Sequence, residues 1–446
     1  MTTGALSTDL YELTMMAGYR KAGLTGPATF ELYARRLPPS RSFLVAAGLE
    51  QALDFLETLR FTADDIAYLR SLPHLGCVDD DFFDDYLPRF RFTGDVWAVE
   101  EGTPVFPPAP LVRVTAPLPE AQLVETALLA FVTFQTTVAS KAARVTEAAG
   151  GRPVVEFGAR RAHGIEAGVL AARAAYLAGC QGTSNVEAGR RFGIPVSGTM
   201  AHSWVLAFGD EDEAFETYSQ CFRERAVLLL DTFDTLAAAR RIAASDLRPA
   251  AVRLDSGDLD RLSREVRAIL DAAGSGATRI LASGDLDEGR IAALVSAGAP
   301  IDGFGVGAAL TTSFDAPSLG AVYKLVELER RGQATPVMKS SPDKETYPGR
   351  KQVWRVIDGG LAVRDVLALA DEPPVAGATP LLDQVMRDGR RLRPRRALAA
   401  LRERCHDELQ RLPPAVRRLA GADAYRVELS DGLRELIARV GAREGA

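Results

Sequence analysis

The sequence predicts an irregular α/β barrel of parallel strands, with an N-terminal α+β domain and a C-terminal helical extension. Two observations lead to this prediction. The chain of 446 residues exceeds the roughly 100–200 residues of an ordinary domain, so two or three domains are expected. After Gly150, short apolar runs alternate with helical patterns every ~25–40 residues, as in parallel strands joined by crossovers. A series of this length favours a complete or nearly complete TIM-like barrel, with an open doubly wound sheet as the alternative.

The predicted N-terminal domain covers residues 1–150. Residues 8–20 open as a helix, because Asp9 can cap it and Glu12 follows three residues later. The other elements expected here are a strand at 27–35, helices at 48–60 and 63–71, a strand-rich stretch at 90–115 and a long helix at 120–148.

The predicted barrel domain covers residues 151–330. Its strands are expected at 153–157, 194–198, 226–231, 250–255, 279–284, 301–307 and 320–328. Helices are expected after the strand at 153–157, near 211–223, from the strand at 226–231 through about 244, at 259–273 and at 287–297. The remaining residues, 331–446, are expected to be irregular and then helical, and to pack back on the core.

The composition excludes several classes of protein. Apolar residues make up 47% of the chain and charged residues 25%, as in soluble globular proteins. The net charge of −6 argues against nucleic acid as a partner, and no apolar run reaches the ~18 residues that suggest a membrane span. An arginine-rich stretch at 389–404 is interpreted as a solvated surface segment rather than a polyanion site.

Cysteine usage and the N-terminus favour a cytoplasmic protein. The four cysteines lie far apart without the spacing of a zinc site, and they suit a reducing compartment. Asp9 and Glu12 stand where a signal peptide would carry basic residues.

Polar and small residues recur where the predicted strands end, which is where barrels of this type hold their active sites. In strand order they are Glu156, Phe157, Gly158, Arg160 and Arg161; Thr199, His202 and Ser203; Asp231; Arg253, Asp255, Ser256 and Asp258; Ser283, Gly284 and Asp285; and Gly305, Gly307 and Ala308. Loops are polar in any protein, but this succession predicts a site.

The residue types indicate a phosphate-binding site. The segments S-G-D at 283–285 and G-F-G-V-G at 303–307 leave backbone N–H groups near turns into helices, which suits phosphate. Neither a dinucleotide fingerprint nor a G-x-x-x-x-G-K-[ST] loop is present. Arg160 and Arg253 suit bidentate capture of phosphate or carboxylate, although each alone could form a surface salt bridge. Asp255 could meet sugar hydroxyls or hydrated Mg²⁺.

Histidine is scarce, and His202 in G-T-M-A-H-S-W is one of four. On the residues alone it is interpreted as a hydrogen-bonded structural histidine, with a phosphate carrier as the alternative. A polar segment at 339–351, which contains Lys339 and Lys351, is expected to be mobile and to lie near the bound phosphates.

Several motifs together resemble the nicotinate phosphoribosyltransferase family over about residues 7–355, and more loosely to the C-terminus. They are T-D-L-Y-E-L-T-M (8–15), E-F-G-A-R-R-A-H-G (156–164), S-N-V (184–186), G-T-M-A-H-S-W (198–204), V-R-L-D-S-G-D-L (252–259), S-G-D-L-D-E (283–288), G-F-G-V-G (303–307) and V-Y-K-L (322–325). Their order and spacing make the resemblance specific.

The resemblance implies an activity. The family joins nicotinate to phosphoribosyl diphosphate (PRPP), giving nicotinate mononucleotide and diphosphate, with Mg²⁺ present and with ATP hydrolysis coupled through a phosphohistidine. The match places that phosphohistidine at His202. It also implies a homodimer with shared active sites.

The resemblance also implies roles for the site residues. Nicotinate would lie between Phe157 and Tyr11 of the partner subunit, with Thr199, Ser203 and Arg253 near its carboxylate. Asp255 would meet the ribose as a catalytic carboxylate. The residues implied to hold PRPP and its phosphates are Arg160, Ser283, Gly284, Gly305, Gly307 and Ala308, the last of which is Thr in some relatives. No direct metal ligand is implied, although Asp255 could hold hydrated Mg²⁺.

Four alternatives stay open. A nicotinamide-specific enzyme is associated with an Asp near the position of Ser184, and the neutral Ser184 favours nicotinate. Quinolinate phosphoribosyltransferase is shorter, uses no ATP and would need more basic residues for two carboxylates. A Schiff-base aldolase would use Lys324 as its amine. A non-catalytic phosphate-binding protein could lose His202 and Asp255, yet both are present.

Overall fold

The computed structural model describes residues 4–339 and 346–444. In chain order its α-helices are α1 (Leu10–Lys21), α2 (Leu49–Thr58), α3 (Ala63–Ser71), α4 (Leu87–Arg89), α5 (Leu118–Leu123), α6 (Glu125–Ala148), α7 (Ile165–Leu177), α8 (Val186–Phe192), α9 (His202–Phe208), α10 (Glu211–Phe222), α11 (Thr235–Ala244), α12 (Leu259–Ala272), α13 (Glu288–Ser296), α14 (Ala308–Thr311), α15 (Leu398–Gln410), α16 (Pro414–Arg417) and α17 (Asp431–Glu444). Shorter helical turns lie at Pro73–Leu75, Phe82–Tyr86, Ala159–Arg161 and Arg223–Arg225.

The strands contain two to ten residues each. They are β1 (Pro27–Ala34), β2 (Leu44–Val45), β3 (Asp95–Val99), β4 (Pro104–Val105), β5 (Pro110–Pro117), β6 (Val154–Glu156), β7 (Gly182–Thr183), β8 (Val227–Leu229), β9 (Ala251–Leu254), β10 (Arg279–Ala282), β11 (Gly303–Val306), β12 (Ala321–Arg330), β13 (Gln333–Pro336), β14 (Lys351–Asp358), β15 (Leu361–Leu369), β16 (Ala378–Pro380), β17 (Leu382–Arg387), β18 (Arg390–Arg391) and β19 (Arg426–Leu429). Across these described ranges, no helix is both long and apolar enough to span a bilayer.

The chain divides into two compact units. The first unit consists of Met1–Thr137 and Ser318–Ala446, and the second unit is Val138–Pro317. The boundaries predicted from the sequence lie at 150 and 330, with residues 331–446 as a third part. In the structure those C-terminal residues belong to the same unit as the N-terminal ones.

The second unit is built on a six-stranded sheet in the order β7-β6-β11-β10-β9-β8, with every neighbouring pair parallel. Most side chains on these strands are buried, so the strands appear in the sequence as short apolar runs. Buried strand residues include Leu228, Val252, Ile280 and Phe304. The predicted parallel α/β architecture is confirmed, as a curled half-barrel whose sheet has β7 and β8 at its edges.

Two of the expected barrel strands behave differently. Residues 194–198 form only an isolated bridge between Val196 and Thr183, because Pro195 lacks a backbone donor and Val196 is exposed. Residues 320–328 do form a strand, β12, but it pairs antiparallel with β1 in the first unit. Neither therefore adds a full strand to the parallel sheet.

The first unit contains a seven-stranded antiparallel sheet in the order β13-β12-β1-β5-β3-β17-β18. A second sheet of four strands, β16-β14-β15-β19, includes one parallel pair, β15 with β19. Buried side chains such as Leu32, Val114 and Tyr323 belong to the main apolar core of this unit.

The C-terminal region has the expected helices α15 and α17, and it also carries strands that the sequence analysis did not anticipate. On β14 the inward-facing residues include Lys351, Val353 and Arg355. Since two of these three are charged, the strand lacks the apolar alternation that sequence patterns detect.

The expectation that Lys351 lies in a mobile segment near phosphates is wrong. Lys351 is 2% exposed, its Nζ lies 3.0 Å from Glu31 Oε2, and it donates to the carbonyls of Tyr347 and Gly349. A lysine so fully engaged has no free donor for a ligand. Residues 340–345 of the same segment lie outside the described residues.

The arginine-rich stretch at 389–404 is held by ion pairs. Arg391 contacts Glu50, Asp54 and Glu57 of α2, at 2.6–2.8 Å. Arg396 and Arg404 both pair with Glu100. These contacts agree with a structural surface segment rather than a polyanion site.

Candidate active site

The ends of the neighbouring strands β9 and β10 bring an arginine, a carboxylate and a hydroxyl together. Arg253 donates from Nη2 to Asp255 Oδ1 at 2.6 Å and from Nε to Ser283 Oγ at 2.7 Å. Ser283 donates in turn to Asp255 Oδ1 at 2.5 Å. The parallel register, which pairs Leu254 with Ala282, makes both strands end at the same level. The three side chains therefore form one closed hydrogen-bonded group.

Gly284 is required by the turn that follows β10. Its φ is +90°, and a Cβ atom at this position would lie 1.8 Å from the carbonyl oxygen of Asp255. Any other residue would push the β9 and β10 loops apart. Gly284 is thus required for steric reasons, and its contact with phosphate stays a prediction.

Thr199 and His202 approach the same group from the segment that enters α9. Arg253 Nη1 donates to Thr199 Oγ1 at 2.7 Å. His202 is the first residue of α9, with 42% of its side chain exposed. Its Nδ1 lies 3.2 Å from Thr232 Oγ1, and its Nε2 lies 3.8 Å from Asp255 Oδ2. His202 is therefore held by a hydrogen bond at Nδ1, while its Nε2 stays accessible beside Asp255.

The neighbours of Asp255 keep it ionised. Burial acts to raise the pKa of this carboxyl, but the Ser283 hydrogen bond, the Arg253 guanidinium and the imidazole of His202 together lower the pKa below its usual value. A negative charge consequently persists at this point throughout the neutral range.

Phe157 supplies an aromatic face beside the arginine. The Arg253 guanidinium carbon lies 5.8 Å from the centre of the Phe157 ring. A Cβ atom on Gly305 would lie 2.4 Å from this ring, so the absence of a side chain at Gly305 lets the ring lie against β11. Gly307 and Ala308 follow on the same strand end, where Gly307 caps the short helix α14.

Other predicted site residues form fewer side-chain contacts. Arg160 and Ser203 are exposed, and neither has a hydrogen bond or ion pair among the residues the structure describes. Arg161 pairs with Asp285 at 3.5 Å, and the side chain of Asp258 caps α12 by accepting from the backbone N–H of Arg261. Tyr11 lies on α1 in the first unit and is 45% exposed. That Tyr11 of the partner subunit covers a bound ring stays a prediction.

Lys324 is badly placed for the aldolase alternative. It lies on β12, where it pairs in register with Glu31 in the antiparallel sheet of the first unit. It is therefore not at the end of a strand of the parallel sheet, where a barrel aldolase would carry its amine.

Two residues gain importance from the structure. Asp231 Oδ2 accepts from the backbone N–H of Asp255 at 3.1 Å and from Ser256 Oγ at 2.5 Å. Its Oδ1 is buried without a hydrogen-bond partner among the described residues. The sequence showed Asp231 at a strand end but gave it no role, and it gave no sign of Thr232, whose contact with His202 depends on folding.

A resident metal centre built by protein ligands is not found. No group of three or more His, Cys, Asp or Glu side chains in residues 4–339 and 346–444 could hold a metal ion. Asp255 Oδ2 and the unpartnered Asp231 Oδ1 are the carboxylate oxygens at the strand ends that fit a cation. Magnesium characteristically uses one or two carboxylates together with water and substrate phosphates, so this donor set fits a substrate-bound Mg²⁺.

The fold and the site together indicate a class of protein that acts on a flat anionic ring and a phosphorylated sugar. Its parallel α/β half-barrel carries an arginine, an aromatic ring, an ionised carboxylate and glycine turns at the strand ends, and these groups suit such ligands.

Comparison with known proteins identifies the family within that class. Sequence models of the nicotinate phosphoribosyltransferase family match residues 153–353, those of its N-terminal domain match 6–133, and those of its C-terminal domain match 375–437. Nicotinate phosphoribosyltransferase pncB2 of Mycobacterium tuberculosis is 47% identical, over 98% of this chain and 94% of its own. The Bacillus subtilis nicotinate phosphoribosyltransferase is 45% identical, over 82% of this chain and 76% of its own.

A solved structure agrees. The crystal structure of human nicotinic acid phosphoribosyltransferase matches with a TM-score of 0.84 and 32% identity, covering 97% of this chain and 99% of that one. The chain belongs to the nicotinate phosphoribosyltransferase family, which confirms the resemblance inferred from the motifs.

Proposed function

We propose that this chain transfers the phosphoribosyl group of PRPP to nicotinate and couples the transfer to ATP hydrolysis through a phosphohistidine at His202. Nicotinate mononucleotide and diphosphate would be the products. The observation that carries the proposal is the group formed by Arg253, Asp255 and His202 at adjacent strand ends. Membership of the family supports the choice of substrates.

An unused N–H donor of Arg253 is available to bind the carboxylate of nicotinate. Its Nη2 uses one N–H on Asp255, and the second has no partner among the described residues. A carboxylate beside Thr199 and Ser203 could accept that N–H, while the pyridine ring lies against Phe157. Tyr11 of the partner subunit would cover the other face of the ring in a homodimer.

The transfer needs no protein nucleophile. The pyridine nitrogen attacks the anomeric carbon, the bond from that carbon to the diphosphate oxygen breaks, and its electron pair leaves with diphosphate. Positive charge develops on the sugar in between, and the ionised Asp255 would stabilise it. The role of Asp255 is thus electrostatic, and Arg253 and Ser283 hold its carboxylate in place.

The phosphates of PRPP would lie along the glycine turns. Gly284, Gly305, Gly307 and Ala308 provide backbone close to the end of the sheet, and Arg160 provides an exposed cation. Ser283 is a weaker candidate for direct phosphate contact, because its hydroxyl already bonds Arg253 and Asp255.

Magnesium would accompany the substrates. Asp255, with Asp231 behind it, would hold the hydrated ion next to the diphosphate. When bound, the ion would neutralise the charge of the leaving diphosphate.

ATP would act as a phosphoryl donor to His202. A ring nitrogen attacks the γ-phosphorus, the bond to the β–γ bridging oxygen breaks, and ADP leaves; water later cleaves the P–N bond and releases phosphate. The half-exposed ring of His202, held at Nδ1 by Thr232 with Nε2 near Asp255, supports this role. The added charge would alter the affinity of the site for PRPP and its products.

The cytoplasmic location belongs to the same proposal. The four cysteines form no disulfide in the described part of the chain, and Cys180 and Cys405 are buried, which suits a reducing compartment.

Substrate choice is the first test. Purified protein would be assayed with PRPP, Mg²⁺ and ATP for mononucleotide formed from nicotinate and from nicotinamide. We expect a strong preference for nicotinate. The substitution Ser184→Asp should weaken nicotinate use by charge repulsion, whereas Ser184→Ala should leave it nearly unchanged. Equal or better turnover of nicotinamide by the wild type would overturn the choice of substrate.

A further inference from the structure

Glu156 is a fully buried carboxylate at the end of β6. It has no exposed surface, and no lysine, arginine or histidine pairs with it in the described part of the chain. Three donors reach it instead. Oε1 accepts from the backbone N–H of Gly158 and from Thr311 Oγ1 at 2.9 Å, and Oε2 accepts from Thr183 Oγ1 at 2.6 Å. An uncompensated buried charge is costly, so this convergence of donors calls for an explanation.

The three donors come from three different strand-end segments. Gly158 directly follows Phe157, Thr183 directly precedes Ser184, and Thr311 ends α14, which begins after the Gly307 turn. The backbone of Glu156 takes part as well, since its carbonyl accepts from Ser184 N–H at 2.9 Å. One residue therefore ties together the segment with the aromatic ring, the segment with Ser184 and the segment with the phosphate turn.

Because the surrounding residues are closely packed, the hydrogen bonds of Glu156 also restrict the position of the Phe157 ring. A Cβ atom on Gly158 would lie 1.6 Å from Thr311 Oγ1, and one on Gly305 would lie 2.4 Å from the Phe157 ring. The backbone N–H of Phe157 is fixed on the carbonyl of Val306 at 2.8 Å. If the Gly158 end of this segment moves, the ring loses its place against β11.

We propose that Glu156 is a positioning residue that holds the Phe157 ring as the platform for the pyridine ring of the substrate. This inference rests on the proposed function, in which Phe157 stacks on nicotinate. Glu156 itself touches no substrate and acts through Phe157.

The need is for an acceptor in this place rather than for a charge. Two of the three donors are threonine hydroxyls, which can rotate and accept, and the backbone N–H of Gly158 requires one acceptor oxygen. Glutamine offers one oxygen to Gly158 and Thr311 and an amide N–H₂ to Thr183. Glu156→Gln should therefore keep the platform, whereas Glu156→Ala leaves three buried donors unpaired.

The experiment is a double-mutant cycle between residue 156 and residue 157, read as KM for nicotinate and for PRPP in the full-length enzyme. Glu156→Ala should raise KM for nicotinate about tenfold and KM for PRPP by no more than about twofold. Glu156→Gln should stay within about threefold of wild type. Phe157→Leu should also raise KM for nicotinate, and adding Glu156→Ala to it should raise KM no further, because the platform is already lost.

Each contrary result has a distinct meaning. The positioning role would be overturned if Glu156→Ala left KM for nicotinate unchanged. It would also be overturned if KM of the double variant rose by the product of the factors for the two single substitutions. A wild type that forms no nicotinate mononucleotide would overturn the proposed function and the platform with it. If Glu156→Ala does not fold, Thr311→Val removes the single hydrogen bond from Thr311 Oγ1 to Glu156 and should shift KM for nicotinate in the same direction by a smaller factor; no shift would again contradict the inference.

Discussion

Two arginine–aspartate pairs, one in each unit, show how the same chemistry serves different ends. In the first unit Arg355 bonds Asp365 through two N–H groups, at 2.9 and 2.8 Å, with side chains 3% and 0% exposed. Its Nη2 also reaches the carbonyl of Pro104, and Asp365 accepts from the Tyr425 hydroxyl. In the second unit Arg253 reaches Asp255 through one N–H, with side chains 15% and 28% exposed.

The difference lies in whether a ligand can reach the pair. The Arg355 pair is sealed from solvent, so it can contribute only to stability and register. The Arg253 pair keeps an unused N–H on Nη2 and a carboxylate oxygen that faces His202. A half-open pair of this kind is prepared for a ligand, and the two pairs should respond in opposite ways to substitution.

The largest expected effect is on catalysis at the open pair. Asp255→Asn keeps the shape of the side chain and an oxygen for Arg253 and Ser283, but it removes the charge. We expect kcat to fall about 10²–10³-fold while the melting temperature changes little. Steady-state kinetics and thermal unfolding of the same preparation check this. A kcat within a factor of three of wild type would mean that Asp255 does not act on the transition state.

The next largest effect is on stability at the sealed pair. Arg355→Met leaves Asp365 buried without its cation and should lower the free energy of unfolding by about 3–5 kcal/mol. The enzyme that stays folded should keep its KM for nicotinate. Denaturant unfolding measures the loss, and the double variant Arg355→Met with Asp365→Leu should recover most of it. A single variant as stable as wild type would contradict the comparison.

A smaller effect is expected from pH on the buried group of Glu288, Lys141 and Arg144. Burial acts to raise the pKa of Glu288, but Lys141 and Arg144 outweigh it, and the folded-state pKa lies below its usual value. A lowered folded pKa contributes stability that is present above the unfolded-state pKa and is lost as pH falls through the folded one. The stability gap between wild type and Glu288→Gln should therefore be constant near neutral pH and shrink in acid. A gap that widens in acid would refute this assignment.

The smallest effect is expected at an exposed pair. Arg161 and Asp285 lie 3.5 Å apart with side chains 65% and 80% exposed. Arg161→Ala should change the free energy of unfolding by no more than about 0.5 kcal/mol. The same unfolding series checks this. A loss above about 2 kcal/mol would show that the exposure of an ion pair does not decide how much it contributes to stability.

The sequence identified the parts of the site that depend on strand ends. Arg253, Asp255 and Ser283 could be grouped because buried parallel strands appear as apolar runs and end at one edge of a sheet. Their mutual hydrogen bonds could not be foreseen, since these depend on the register between β9 and β10. The contact of Thr232 with His202 is of the same kind, as it joins segments 30 residues apart.

The sequence failed where its periodic signals are weak. The strand β14 carries inward-facing charges and is among the C-terminal strands that were not predicted. Residues 194–198 contain a proline and form an isolated bridge in place of the predicted strand. The roles of His202 and Tyr11 came from the family resemblance and not from any pattern in the chain.

One measurement tests the central claim most directly: the initial rate of nicotinate mononucleotide formation with and without ATP, for wild type and His202→Ala. His406→Ala, which changes an exposed histidine on α15, is the matched control. The account predicts that ATP stimulates wild type and the control, that both hydrolyse ATP, and that ATP has no effect on His202→Ala. Equal stimulation of His202→Ala and wild type would contradict a phosphoryl group carried at His202.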